Sequence, residues 1–296
     1  MTARDLVLPS FFGDALALGP HWIYDPVQIA AWYPGGIRAY EAPRSQYHPA
    51  TKAAGDFTHY GDQALALLES LAGAGGSLEN WPADWLRWAE RIREDKSSYL
   101  DGATRGTLQN LAAGVAEPSP SSDLGGAARI APLLAFHRDV EQLVPLARAQ
   151  TALTHGDPQV IDAAEFFARA AVSVAGGAGF EEAFDEAASH PYDALPAIDW
   201  GTLGRDASSG DLAAKAGALG LGCDIDGAFP ITLALAFRYE ADPVEALSAN
   251  AMLGGDSAAR GLLLGLLMGA RHGAAAFPAE WISGLRSIDA IERALP

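Results

Sequence analysis

The chain has 296 residues, with 37 acidic against 20 basic side chains and a formal net charge of −17. That balance argues against a nucleic-acid backbone or an anionic membrane surface as partner, because both need a cationic footprint. A small anionic ligand stays open, since a local arginine cluster can hold one inside an acidic protein.

Hydrophobic residues at 49% and charged residues at 19% are the balance of a folded globular chain. The single cysteine, Cys223, excludes an intrachain disulfide and any site built from several thiolates. The opening Met-Thr-Ala-Arg-Asp does not read as a signal peptide. The longest apolar run, 262–270, falls short of the ~20 residues that cross a bilayer. A soluble cytoplasmic protein is the expectation.

Alanine and leucine recur at helical spacing, and strand-like alternation is nearly missing. The pattern predicts helices over 3–18 and 26–32, a stretch rich in Pro, Gly and Tyr at 33–59, then helices over 61–73, 82–95 and 98–114. A second break at 115–126 precedes helices over 127–137, 139–153, 158–174 and 180–189. A third break at 191–210 precedes helices over 211–220, 228–239, 243–252, 256–272 and 287–294. Asp157 and Asp242 stand before Pro158 and Pro243 as N-caps. Trp85 and Trp88 share a helix face and read as core, while Glu181, Glu182, Asp185 and Glu186 read as a solvated face. No break resembles a linker and no repeat is evident, so 1–296 is expected to form one compact all-α domain.

Four segments place small residues beside a few polar groups. In 12–22, Asp14 lies inside an apolar helix, where a carboxylate needs a partner. It either bonds a neighbouring helix end or faces a cleft with His21 at the helix exit. In 55–63, two aspartates, His59 and two glycines gather at one helix start. Capping accounts for one carboxylate, and Asp62 is expected to point into a cleft. In 123–132, Gly125-Gly126 opens a helix and Arg129 adds a fixed fork, a combination that suits phosphate or carboxylate. A plain loop with a surface arginine is the alternative. His155, between two helices, either joins this group or stabilises a helix C-terminus. In 254–261, Gly254 and Gly255 precede Asp256, and glycines at 261, 265, 269 and 273 line one face, which lets another backbone approach. Asp256 is either an N-cap paired with Arg260 or part of a cation or water site. The cluster 222–227, with Cys223, Asp224 and Asp226, reads as a loop turn.

In this order, Gly13-Asp14-Ala15-Leu16, Gly61-Asp62-Gln63, Gly126-Ala127-Ala128-Arg129-Ile130-Ala131-Pro132, Thr154-His155 and Gly254-Gly255-Asp256 resemble the ADP-ribosylglycohydrolase family across nearly the whole chain. The resemblance implies an all-helical domain with a central cleft for ADP-ribose. It also implies two divalent ions, usually magnesium, in active members, and hydrolysis of an N- or O-glycosidic bond at the ribose anomeric carbon. Two departures touch the implied metal ligands. The family's Thr-Asp-Asp-Thr stands here as Tyr60-Gly61-Asp62-Gln63, and its Asp-x-Asp-Thr/Ser as Asp256-Ser257-Ala258-Ala259, each keeping one ligand carboxylate. Gly19-Pro20-His21-Trp22 stands where many members carry a glutamate.

Two adjacent ions bring about four positive charges, more than Asp62 and Asp256 can offset as metal ligands, so one magnesium ion or none is expected. The expectation is a hydrolase of an ADP-ribosyl or related ribosyl substrate, small-molecule or ADP-ribosylated, with Asp14, Asp62 and Asp256 as catalytic carboxylates. His21, His59, Gly125, Gly126, Arg129, His155, Gly254 and Gly255 are expected to contact substrate. The alternative is a non-catalytic module that binds ADP-ribose or a nucleotide in the same cleft.

Overall fold

A computed structural model describes residues 1–196 and 200–296. The chain begins with helices α1 (Ala3–Ala17), α2 (Pro26–Trp32), α3 (His59–Gly73), α4 (Trp81–Asp95) and α5 (Gly102–Ala112). The short α6 (Gly125–Ala128) and α7 (Ala131–Phe136) lead to α8 (Val140–Ala152), α9 (Pro158–Ala175) and α10 (Phe180–Ala188). Then come α11 (Trp200–Ser208), α12 (Leu212–Leu219), α13 (Ile225–Arg238), α14 (Pro243–Leu253), α15 (Ser257–His272), α16 (Ala279–Gly284) and α17 (Ile288–Ala294). Among the described residues there is no strand, only the isolated bridges Ser119–His155 and Asp123–Asp224. The all-α expectation holds. No described helix is long and apolar enough to cross a membrane.

The core is built on α1 and α15, which are buried over 6–17 and 257–270. Their backbones touch through glycine. A Cβ added to Gly13 would lie 1.9 Å from the Gly261 carbonyl oxygen, one on Gly265 2.0 Å from that of Pro9, and one on Gly269 2.4 Å from that of Asp5. The four-residue glycine spacing thus does what the sequence predicts: it removes the side-chain layer between two helices. Trp81, Trp85 and Trp88 are buried, and Glu181, Glu182, Asp185 and Glu186 are exposed. Asp157 and Asp242 cap α9 and α14, accepting from the N–H of Gln159 (2.8 Å) and Glu245 (2.9 Å).

Four elements differ from the sequence expectation, the first being α16 (Ala279–Gly284), which no predicted helix covers. The helix predicted over 127–137 is two short ones, because Pro132 lacks the N–H that would bond Ala128 and its ring crowds that carbonyl. The stretch 191–210 contains α11, whose Gly204 acts as a contact point: a Cβ there would lie 2.6 Å from the Phe237 ring of α13. The helix predicted from 98 starts at Gly102, since Asp101 turns its carboxylate back onto the Thr104 N–H (2.5 Å) as an N-cap.

Candidate active site

Three chain segments that are far apart in sequence meet at the start of α15. The Trp22 N–H donates to the Gly255 carbonyl (2.8 Å), the Gly255 N–H to Ile23 (2.7 Å), and the Asp256 N–H to Leu221 (2.8 Å). Gly254 and Gly255 have φ of +66° and +62°, and a Cβ on them would lie 2.4 Å from the Ile23 oxygen and 2.3 Å from the Leu221 oxygen. Only glycine fits such a junction. Trp22 itself has φ +64°, a conformation that a bulky residue adopts only when its surroundings impose it. The result is an indole N–H aimed at the Asp256 carboxylate, 3.1 Å from Oδ2.

Above this junction lies a cavity of about 250 Å3. Its walls are aromatic: Trp22, Tyr24, Tyr47, His59, Tyr60 and Tyr99. The Trp22 indole stacks with His48 (centroids 4.7 Å apart) and with His59 (5.4 Å), while Tyr99 meets it edge-on at 4.8 Å. Tyr24 and Tyr47, at 54% and 62% exposure, stand at the mouth. The polar lining consists of Asp101, Asp123, Asp256 and the Cys223 thiol.

Tyr60 joins two of these carboxylates. Its hydroxyl lies 2.8 Å from Asp123 Oδ2 and 3.2 Å from Asp256 Oδ2. A phenol has one proton and can satisfy one ionised carboxylate, so two ionised aspartates cannot both be served. Burial pushes both carboxyls up, and the charge of Asp256 pushes Asp123 further, well above the ordinary carboxylate range. Donors from Trp22 and Tyr60, and the nearby Arg260 charge, oppose the rise at Asp256 and hold it to about 6. The two carboxyls therefore titrate as a coupled pair in which Asp123 is pushed further toward its neutral form than Asp256. Gly125 N–H donates to the other oxygen of Asp123 (2.7 Å). Asp101 moves the opposite way. Burial alone would raise it, but the charge that His59 and His155 carry when protonated, together with the Thr104 N–H, holds it below its ordinary value. Burial drives His59 down to about 4 and His48 and His155 to about 3, so these rings are neutral at pH 7.

Asp256 belongs to this cavity, and it does not cap α15 with its side chain. Arg260 donates to Asn250 and to the Gly254 carbonyl and makes no hydrogen bond to Asp256. The second Asp256 oxygen lies 4.0 Å from His21 Nε2, and neither atom has a hydrogen-bond partner among the described residues. His21 is buried behind the wall, and His59 is part of it.

Asp14 is brought to the start of α3, where it accepts from the Thr58 N–H (2.8 Å), the Thr58 hydroxyl (2.6 Å) and the Gly61 N–H (3.1 Å). It ties α1 to α3 and does not line the cavity. Asp62 lines a neighbouring pocket, paired with Lys52 (2.6 Å) and the Ser98 hydroxyl. Arg129 is buried with its donors on Gln63 (2.6 Å), Gln150 (3.0 Å) and the Thr154 hydroxyl, so its fork is already occupied. Gly125 and Gly126 make room for rings: a Cβ would lie 2.0 Å from Tyr60 Cε1 and 2.5 Å from His155 Cγ. The residues that sequence reasoning does not select are Trp22, Tyr60, Asp101 and Asp123. A tyrosine in the place of the motif threonine and a non-glycine residue beside a Gly-Pro turn were the available signals.

The two-ion centre implied by the resemblance does not fit these residues. Asp62 and Asp256 line different cavities, and Oδ2 of Asp256 is taken by the Trp22 and Tyr60 donors. Among the described residues no three His, Cys, Asp or Glu side chains converge as a ligand set.

The family model described as ADP-ribosylglycohydrolase matches residues 2–295. A solved chain described as an ADP-ribosylglycohydrolase-related protein complex is similar to this one at 25% identity and a TM-score of 0.67, over 99% of this chain and 96% of that one. No curated protein matches the chain.

Proposed function

The chain belongs to the ADP-ribosylglycohydrolase family, and from that premise we propose that it hydrolyses the N- or O-glycosidic bond of an ADP-ribosyl or related ribosyl substrate in the Asp256 cavity. The observation that carries the proposal is the Asp123–Tyr60–Asp256 chain, two carboxyls joined by one hydroxyl inside an aromatic cavity. Pairs of carboxyls whose surroundings separate their protonation states do acid–base work at neutral pH.

In the proposed reaction a water oxygen bonds to the anomeric carbon while the glycosidic bond breaks and its electron pair leaves with the departing atom. Asp256 takes the water proton, and its negative charge offsets the positive charge that builds on the ribose. Asp123 supplies a proton where the departing atom needs one, and Tyr60 connects the two carboxyls as their charges change. The Trp22 N–H keeps Asp256 in place, and the left-handed Trp22 backbone keeps the N–H in place.

Incubation with ribosyl substrates, with free ribose or ADP-ribose measured as product, tests the reading. Asp256→Asn is expected to lose on the order of 100-fold or more in kcat/KM with an unchanged circular dichroism spectrum. An undiminished rate would remove Asp256 as base. Gly61 and Ala258, at positions where the family motifs carry carboxylates, favour a second reading: a module that binds without turnover. It expects saturable binding and no product over long incubation.

A further inference from the structure

We infer that the cavity takes a phosphate-free N-riboside, a pentose bearing a neutral or cationic aromatic base, and rejects the diphosphate of ADP-ribose. This rests on the glycosidic-hydrolysis reading of the same cavity and narrows its substrate class.

The first ground is charge. Three carboxyl groups line the cavity, and no Lys or Arg does among the described residues. Two of the cations that the sequence offers for an anion are spent elsewhere: Arg129 is held by Gln63, Gln150 and Thr154, and Lys52 by Asp62 in the next pocket. Arg260 lies outside the lining and donates to Asn250 and Gly254, with Nη1 unpartnered among the described residues. Arg105 stacks on Tyr99, 5.5 Å from the ring centroid, and donates to the Leu100 carbonyl. The Gly125 N–H, a donor of the kind that cradles phosphate at helix starts, is taken by Asp123. A diphosphate would face the carboxyl groups of Asp101, Asp123 and Asp256 with no cationic side chain in the lining among the described residues. One like-charge pair about 10 Å apart, at an effective dielectric near 20, costs more than tenfold in binding.

The second ground is size. At about 250 Å3 the cavity lies below the range of roughly 300–1,000 Å3 usual for drug-sized ligands. It has room for a pentose and one ring and does not enclose both halves of a dinucleotide.

The third ground is what the walls offer. Trp22, Tyr24, Tyr47 and Tyr99 line the cavity with aromatic rings, and a cationic base adds attraction to the rings and to the carboxylates. A pyridinium-type base also leaves as a neutral molecule when the electron pair of the glycosidic bond moves onto its nitrogen. It needs no proton at departure, so Asp256 has only to accept the water proton and offset the ribose charge. A neutral purine base would draw its proton from Asp123.

The test compares the full-length protein on nicotinamide riboside, inosine, NAD+ and ADP-ribosyl-arginine, with binding of these compounds and of ADP-ribose to the wild-type protein measured by calorimetry. The expected result is a kcat/KM for nicotinamide riboside or inosine about 100-fold or more above that for either diphosphate substrate. Equal or faster cleavage of NAD+ or ADP-ribosyl-arginine overturns the inference and leaves the hydrolase reading standing. If no compound is cleaved, the hydrolase reading falls and binding decides the substrate class. Nicotinamide riboside or inosine bound at least about tenfold more tightly than ADP-ribose upholds it. ADP-ribose bound as tightly or better, or no binding by any of the compounds, overturns it.

Discussion

Replacing Tyr60 by phenylalanine removes one oxygen atom and leaves the ring. The ring fills the space that Gly125 leaves open, and it stacks on His59 with centroids 3.8 Å apart, so the packing survives. What disappears is the hydroxyl between Asp123 and Asp256. A hydrogen bond to a buried charged group is worth about 1.5–3 kcal/mol, and about 1.4 kcal/mol corresponds to one pKa unit. Losing it raises the Asp256 carboxyl from about 6 by roughly one to two units. The direction on activity follows from the roles. Asp256 works ionised, so the rate rises with pH through its pKa. Asp123 works protonated, so the rate falls at higher pH. In Tyr60→Phe Asp256 loses a donor that favoured its ionised form, and the acidic limb moves to higher pH. At pH 6 the variant is expected to lose about 5- to 50-fold in kcat/KM, with part of the loss recovered near pH 8. A pH–rate profile beside a thermal melt checks this. An acidic limb at the wild-type position, with the melt also unchanged, would refute the proton-sharing account of the pair.

Gly265→Ala drives a Cβ to 2.0 Å from the Pro9 carbonyl, backbone against backbone, and is expected to cost about 2–3 kcal/mol or more of stability, read as a lowered urea midpoint. Asp14→Ala leaves the Thr58 and Gly61 N–H groups without their acceptor, at a cost of roughly 3 kcal/mol in the same assay. Burial raises the Asp14 carboxyl to about 7, so the folded state binds more protons than the unfolded one between its ordinary value and pH 7. Wild-type stability should therefore fall as pH rises through that window, and Asp14→Asn should flatten the slope; an unchanged slope means the carboxyl ionises normally. Asp62→Asn frees Lys52 without touching the cavity and is expected to keep kcat/KM within about threefold of wild type. A loss of 100-fold or more would return the base to Asp62.

The glycine face of α15 shows what a local pattern can specify, because a repeat of four names both a helix and a bare stripe on it. Asp157 and Asp242 are equally local, each lying a few residues from the amide it caps. The cavity is of a different kind. Tyr60 meets Asp123 across 63 positions and Asp256 across 196, and Trp22 meets Asp256 across 234. No periodicity carries such pairings. The family motif does locate Asp256, since motif order preserves what spacing loses. It also selects Asp62, whose neighbour Tyr60 turns into the cavity while Asp62 turns to Lys52. Residues 60 and 62 stand on different faces of one helix, so the same motif points both into and away from the site. Arg129 shows a related limit: a guanidinium beside Gly-Gly looks like an anion site, and only the fold brings Gln63, Gln150 and Thr154 to its donors.

A buried anion has to be compensated, and the means of compensation decides what else the cavity can hold. If metal ions met the carboxylates, the cavity would gain positive charge and a diphosphate could enter. Here the Asp256 carboxylate takes its hydrogen bonds from an indole N–H and a phenol O–H, both neutral, with the Arg260 charge nearby but outside the lining. Asp123 is pushed toward its neutral form, and the neighbouring histidines are held neutral by burial. None of these solutions adds a cationic side chain to the lining among the described residues. The acidity of the whole chain says little about this, because much of it lies on exposed faces such as Glu181, Glu182, Asp185 and Glu186. The cavity is acidic for a local reason, and a neutral or cationic ring is the ligand that such a cavity attracts.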